Sequence, residues 1–542
     1  MMNKKVKKLL VCLCSLLMTF SLVACSGSND SSSDGKTVNL AKELDIISMD
    51  SSYATDGSSF EAIQATTDGL LTVDTDGNLI PALAKEKAKV SEDKLTYTYE
   101  LRDAKWDNGT PVTANDFVYA WQRTVSSADA EYNYLYGQDG ACISNADAII
   151  AGEKKASELG IKAVNDTTLE ITLSKPCAYF ENLMSFPVFY PINQKFAEEK
   201  GDQYALTPEN MLACGAYKMT SWETGSKYVL EKNESYYDVD AVKVDKLVFN
   251  VVKDLSSSAL AFESGDVDFT KLNKDLVDKY KDSDEYSELL EGYLWYFQYN
   301  FANEYLSNDN IRKAISLAID REDLVNNVLK DGSIVAKGFV PAKLATGPDG
   351  KDYRETAPSY MATNKDEAKK YWEAGLKELG VDSINISMLF DNADPAKSAA
   401  EYLQSSLQST LEGLNIEMVA QEKNNRIEMQ KAGDFDISLT RWGPDYADPT
   451  TYLYLMTTGN SYNYGDYTNK DYDNKIKEAA DADDDETRWE LLKEAEGICM
   501  DDYAVAPIFQ VGGASLISKN VKGIESHAVG VPYIYKNVEI VK

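Results

Sequence analysis

INISMLF (384–390), DPAKSAAEYLQSSLQSTLEG (394–413), LNIEMVA (414–420) and FDISLTRW (435–442), taken in succession, decide the fold class. In the first segment Ile384, Ile386 and Met388 alternate with Asn385 and Ser387, the period of a strand with one face buried. Asp394-Pro395 reads as an N-cap followed by Pro at the first helical position. Ala400, Leu403, Leu407 and Leu411 then recur at helical spacing, and Gly413 closes the helix. LNIEMVA alternates again, residues 425–431 read as a short helix, and FDISLTRW reads as a third strand. Strand, helix, strand, helix, strand is the grammar of an α/β fold with a parallel sheet. Just upstream, NKDEAKKYWEAGLKELG (364–380) reads as a helix with Asn364 and Glu367 as its capping pair and Gly380 as its stop.

The third strand runs into RWGPDYADPTTYLYL (441–455), which sets Asp445 and Asp448 among Trp442, Tyr446, Tyr452 and Tyr454. Asp, Gly and Pro bend the chain there, and in an open α/β sheet the carboxyl ends of the strands are where ligands bind. The stretch therefore reads as a turn with carboxylates in a wall of aromatic rings.

Working outward, 542 residues are too many for one core, so two or three domains are expected. Tyr is abundant, 34 against 16 Phe, which fits surfaces that recognise something through an apolar ring with a polar tip. The net charge is −33; residues 1–24 hold four lysines and no acid, so the chain beyond them stands near −37. That excludes a phosphate-binding face for nucleic acid and a polybasic contact with an anionic membrane. The N-terminus, with its basic start and an apolar run from Leu9 to Ala24, reads as a secretory signal. It ends in LVACSG (22–27), which resembles a bacterial lipobox and implies a lipidated Cys25. Residues 26–35, SGSNDSSSDG, form a polar tether with no means of packing. Cys142, Cys177, Cys214 and Cys499 remain, without metal spacing; one or two disulfides are compatible with them.

Further upstream, KLTYTYELRDAKWDNGTPVTANDFVYAWQR (94–123) reads as a strand, an Asn108-Gly109 turn and a helix capped by Thr113 with Asp116, with Trp106 and Trp121 in the core. Residues 216–231 and 243–252 read as strands. Chemistry of the hydrolase kind has little to work with. His527 is the single histidine, GGAS (512–515) lacks the nucleophile elbow, and DADDDE (481–486) lacks the pattern of a calcium loop and reads as a helix start.

The segment at 94–123, with DGLLTVDTDGNLIPALA (68–84), ACGAYKMTSWETGSKYVLEKNESYYD (213–238), NIRKAISLAIDREDLV (310–325) and residues 134–176, resembles the solute-binding proteins of the peptide/nickel group, extracellular family 5, and most closely their oligopeptide-binding branch. The resemblance covers residues 38–542. It implies a two-lobed periplasmic-binding-protein-like fold of class II type with an extra domain, three domains in all. Domain I would be discontinuous (36–76, 207–285 and 506–542), domain II would span 77–206 and domain III 286–505, after a signal peptide (1–24) and a lipidated tether (25–35). The implied role is a lipid-anchored, monomeric binding protein outside the cell membrane, which captures short peptides and delivers them to the permease and ATPase subunits of an ABC transporter. No cofactor, metal or catalytic residue is implied. In that branch the Asp of a W-x-x-D-Y turn pairs with the ligand's α-amino group; here it is Asp445 in Trp442-Gly443-Pro444-Asp445-Tyr446. The strand-like contacts map to Thr55–Ser58, including Gly57, and to Leu439–Gly443, while Trp442, Tyr446 and Tyr136 supply aromatic walls. The sequence departs from the enteric pattern at Thr55, where an acid would face the ligand, and near Ala396, where a His would help take its C-terminus, so recognition of that end does not carry over. Asp448 reads as a turn or helix cap. Within the same fold the alternative ligands are a nickel chelate, haem, an oligosaccharide or a signalling peptide. The Asp445 turn favours an amine, and a lone His disfavours direct nickel binding.

Overall fold

The alternating segments build one long mixed sheet that runs through the whole molecule. The computed structural model describes residues 36–138, 140–482 and 484–541; the signal, Cys25 and the tether lie outside them. The strands of the main sheet are β1 (Thr37–Lys42), β2 (Tyr217–Glu223), β3 (Lys227–Lys232), β4 (Lys246–Val251), β5 (Phe269–Leu272), β6 (Tyr286–Tyr299), β7 (Ile384–Asp391), β8 (Leu414–Gln421), β9 (Ile437–Trp442) and β10 (Val505–Ile517). Their order is β8-β7-β9-β6-β10-β5-β1-β4-β3-β2, with a short strand, Ile334–Val335, paired to β10.

The expected parallel unit is present: β7 pairs in parallel with both β8 and β9. Ile384, Ile386 and Met388 are buried as their alternation predicts, and the helix Ala396–Thr410 lays Ala399, Ala400, Leu403 and Leu407 against them. That helix starts one residue later than Asp394-Pro395 suggests: Pro395 occupies the cap position, and the Asp394 carboxylate accepts from the Ser398 amide and hydroxyl. Asn364 caps the helix Lys365–Leu379 through the Glu367 amide, and Gly380 ends it. Residues 77–206 carry a separate four-stranded sheet and the helix Ala114–Val125, whose capping box joins Thr113 and Asp116. Trp106 and Trp121 are buried, and both indole N–H groups donate within the core.

Two strands cross from one half of the sheet to the other, and the packing changes partway along each. On β10, Ala506, Ile508 and Phe509 belong to the core around Trp295 and Leu403, whereas Ala514 and Leu516 pack with Ala259 and Leu272. On β6 the register against β10 shifts between Leu290 and Leu294, leaving residues 291–293 outside the ladder. The packing along β6 and β10 thus changes near 291–293 and 510–513. Cys142, Cys177, Cys214 and Cys499 are buried, and among the described residues no disulfide joins them. Asp484 of the acidic run caps the helix Asp485–Asp501, and residues 512–515 lie within β10.

Candidate functional site: an aromatic cleft around Asp445

β9 delivers the chain to the cleft between the lobes. Its side toward β7 is paired only up to Leu439, opposite Phe390, while β6 pairs its other side along the full length. Thr440, Arg441 and Trp442 thus present a main-chain edge beyond the end of the β7 ladder. The turn that follows separates its two acids sharply. Asp448 accepts from the Thr450 amide and hydroxyl and holds Arg488 in a bidentate pair, both N···O distances 2.8 Å, with both side chains nearly buried. It is a cap and a structural ion-pair partner. Asp445 is different: no cation pairs with its carboxyl among the described residues. Burial pushes its pKa up to about 7, opposed only in part by the Tyr134 hydroxyl, which favours the charged form.

Asp445 stands where two chambers adjoin. One, of about 310 Å³, is bounded by Thr55, Gly57, Tyr132, Tyr293, Gly443 and Asp445 among others. The second, of about 600 Å³, shares Phe186, Asp445, His527, Ala528 and Gly530 with it and reaches Tyr446. Gly443 is required by close approach, since a Cβ there would come within 2.3 Å of the Tyr293 ring. The turn is docked on the other lobe by a parallel stack of Tyr446 on Tyr179 (4.0 Å between centroids, 6° between planes) and by Asn182 donating to the Ala447 carbonyl at 2.6 Å.

Of the residues singled out in the sequence, Asp445, Gly443, Thr55, Gly57 and Tyr446 come together here. Three assignments need correction. Tyr136 is not a wall residue: it is fully buried, packed against Trp121 and Phe189, with its hydroxyl donating to the Val188 carbonyl. It sits in the one-turn helix Asn133–Tyr136, which turns its ring inward and leaves Tyr132 and Tyr134 on the cleft side. Leu439 is a core residue with strands on both sides, so the usable edge begins after it. The segment Thr55–Ser58 is not strand-like throughout, because Asp56 caps a helix that already includes Gly57 and Ser58. Trp442 packs edge-on against Tyr462 and bounds neither chamber. The sequence reading missed Tyr132, Tyr134, Phe186 and Tyr293. YNYLY (132–136) signalled the first two, but spacing alone does not tell which tyrosine of the three turns inward.

The family model for bacterial extracellular solute-binding proteins, family 5, matches residues 78–464. The chain belongs to that family. A dipeptide-binding protein of Lactococcus lactis subsp. cremoris is 34% identical over 539 residues, covering 96% of each chain. Peptide-bound OppA of Listeria monocytogenes superposes with a TM-score of 0.73 at 37% identity, covering 94% of this chain and 100% of that one. MppA, a periplasmic murein tripeptide-binding protein in its unliganded open form, superposes at 0.81 with 26% identity, covering 94% and 98%. The backbone of this family 5 protein thus follows the open form more closely than the more similar sequence bound to peptide. Among the described residues no helix is long and apolar enough to cross a membrane.

Proposed function

We propose that this protein captures short peptides by their free α-ammonium at Asp445 and by their main chain along the Thr440–Gly443 edge, in a cleft whose lobes close over them. It then passes them to the permease of an ABC transporter, from outside a cell membrane to which lipid on Cys25 tethers it as a monomer. The observation that carries this reading is the half-buried carboxyl of Asp445, which has no cation of its own among the described residues and stands in an aromatic cleft at the end of an open strand edge. An ammonium leaving water needs such a charged partner, and a main-chain edge suits any peptide sequence. The names of the relatives, a dipeptide-binding protein and a peptide-bound OppA, support the same ligand class. The family model that matches describes bacterial extracellular solute-binding proteins, in keeping with this reading.

Titration calorimetry of the full chain in detergent, with tripeptides in free and N-acetylated form, tests the anchor. Free peptides should bind and acetylated ones should lose about a hundredfold or more in affinity, as should free peptides on Asp445→Asn. Equal binding of the two forms would remove Asp445 from this role.

A further inference from the structure

Two of the buried cysteines lie together, close to the contact between the lobes. The Sγ atoms of Cys142 and Cys177 approach one acceptor, the Gly140 carbonyl, at 3.5 and 3.6 Å. Cys142 also reaches the Gln138 carbonyl at 3.6 Å. Its backbone is left-handed, with φ +54°, a conformation uncommon for a residue with a Cβ. The two segments are fixed side by side: Ile143 bridges Leu173 in antiparallel fashion, and the Ser174 amide donates to the Cys142 carbonyl at 2.8 Å. The other two cysteines lie elsewhere. The Cys214 amide donates to the Thr66 carbonyl, and Cys499 belongs to the core around Tyr353 and Leu492. The pair adjoins the dock of the other lobe. Tyr179, close after Cys177 in the chain, stacks on Tyr446, and Asn182 donates to the Ala447 carbonyl. Burial pushes the Cys177 thiol up, its contact with the Cys142 thiol adds to that, and Asp448 of the docked turn is near enough to raise it further.

Adjacent thiols in an extracellular binding protein are placed to be oxidised, because disulfides form and persist outside the cell membrane. We propose that Cys142 and Cys177 are a redox modification site, closed by an oxidant of the disulfide class into a bond that holds the surface on which the Asp445 turn docks. In the exchange, the thiolate of one cysteine attacks the oxidant R–S–S–R, forming a mixed disulfide and releasing one R–S⁻. The thiolate of the other cysteine then attacks the mixed disulfide at its protein sulfur. The Cys142–Cys177 bond forms, the second R–S⁻ leaves, and the two thiol protons end on the two R–SH. The protein is oxidised by two electrons and the external disulfide is reduced by two. Both thiols give up their contacts with the Gly140 carbonyl, but S–H is a weak donor. The bond in return closes the whole loop from 142 to 177, with its helix Ala146–Ile150 and the paired strands Ile161–Asn165 and Thr168–Thr172. Cys177 is then tied to Cys142, and the segment from Tyr179 to Asn182 that receives the turn is held from one end. The bond forms whatever ligand the cleft takes.

The test incubates the full chain in detergent with oxidised glutathione, with and without urea just below the unfolding midpoint, so that local opening admits the oxidant to the buried pair. Remaining thiols are then alkylated, and the digest is mapped by mass spectrometry without reduction. Wild type should yield one linked pair of peptides, carrying Cys142 and Cys177, with Cys214 and Cys499 alkylated. In the oxidised protein the amides of 177–183 and of the docked turn, 443–450, should exchange with deuterium about threefold or more slowly than in the same protein after dithiothreitol. Cys142→Ala, shown to be folded by its far-ultraviolet circular dichroism, should give no linked peptides and no such difference in exchange. Alkylation of Cys142 and Cys177 as thiols even in urea, or linkage through Cys214 or Cys499, overturns the proposal, and both results are read on wild type alone. A Cys142–Cys177 link that leaves exchange in both segments unchanged overturns the claim that the bond holds the docking surface.

Discussion

The desolvation of Asp445 in the cleft makes ligand affinity depend on pH in a way that an ordinary carboxylate would not. In the ligand-free protein its pKa is pushed up to about 7, whereas a carboxyl in water titrates near 3.8. A peptide's α-amino group titrates near 8. The productive pair needs the first group ionised and the second protonated, so affinity should peak near pH 7.5 and fall on both sides. Between pH 7.5 and 5.5 the ionised fraction of Asp445 drops from roughly three-quarters to about 3%. After the small gain in amine protonation, the apparent affinity should weaken by about 20-fold. With a carboxyl at its usual pKa the same change of pH would leave affinity level or slightly improved. The proton displaced from Asp445 is itself measurable. At pH 6.5 about 0.8 proton should leave the protein for each peptide bound, read as the slope of binding enthalpy against buffer ionisation enthalpy. Asp445→Asn should bind weakly at every pH and show no acid limb. Affinity that is flat from pH 7.5 to 5.5, with no proton released at pH 6.5, would refute the reasoning: either Asp445 is ionised in the empty cleft or it does not meet the amine.

Two neighbouring acids should respond oppositely to the same conservative change. The folded protein holds the Asp445 proton more tightly than the unfolded chain does, so ionising this group costs stability as pH rises from about 4 to 7; at pH 8 Asp445→Asn should stabilise the ligand-free protein, on the order of 4 kcal/mol, in thermal or denaturant unfolding. Asp448→Asn leaves the nearly buried Arg488 without its bidentate partner and should cost about 3–5 kcal/mol in the same assay. Tyr134→Phe removes the group that favours the charged form of Asp445, so the acid limb of the affinity profile should move to higher pH. Gly443→Ala places a Cβ 2.3 Å from the Tyr293 ring, and peptide affinity should fall by about tenfold or more while the far-ultraviolet circular dichroism stays unchanged.

Much of the α/β half was legible because burial there follows local periods. Ile384, Ile386 and Met388 point to one side of a strand, and Leu403 and Leu407 to one side of a helix, whatever the rest of the chain does. The same locality made the caps at Thr113 and Asn364 readable. The cleft is another matter, because its walls come from segments hundreds of residues apart. Tyr134, Phe186 and Tyr293 meet Asp445 only after two lobes have formed, and no spacing announces it. Tyr136 was misplaced because a single 3₁₀ turn decides which of three closely spaced tyrosines faces inward. Leu439 was misplaced because the edge of a strand is set by where its neighbour stops, here at Phe390, a property of β7 that β9 does not encode.

The stretch 441–455 carries the anchor, and the structure also ties it to the crossing strands. Tyr452 is fully buried, and its hydroxyl lies 2.5 Å from the Gly292 carbonyl and 2.9 Å from that of Trp442. Gly292 sits in the stretch of β6 that leaves the ladder, and its own amide donates to the Ala528 carbonyl at 2.8 Å. Its missing side chain lets Ala528 and the Pro444 ring close in, since a Cβ would meet them at 2.3 and 2.5 Å. One tyrosine hydroxyl therefore holds the turn before Asp445 to the segment where the cores of the two lobes change over. Residues outside a ladder absorb backbone rotation at lower cost than residues inside one. The Asp445 turn is thus tied, through Tyr452 and Pro444, to a part of β6 that leaves its ladder with β10.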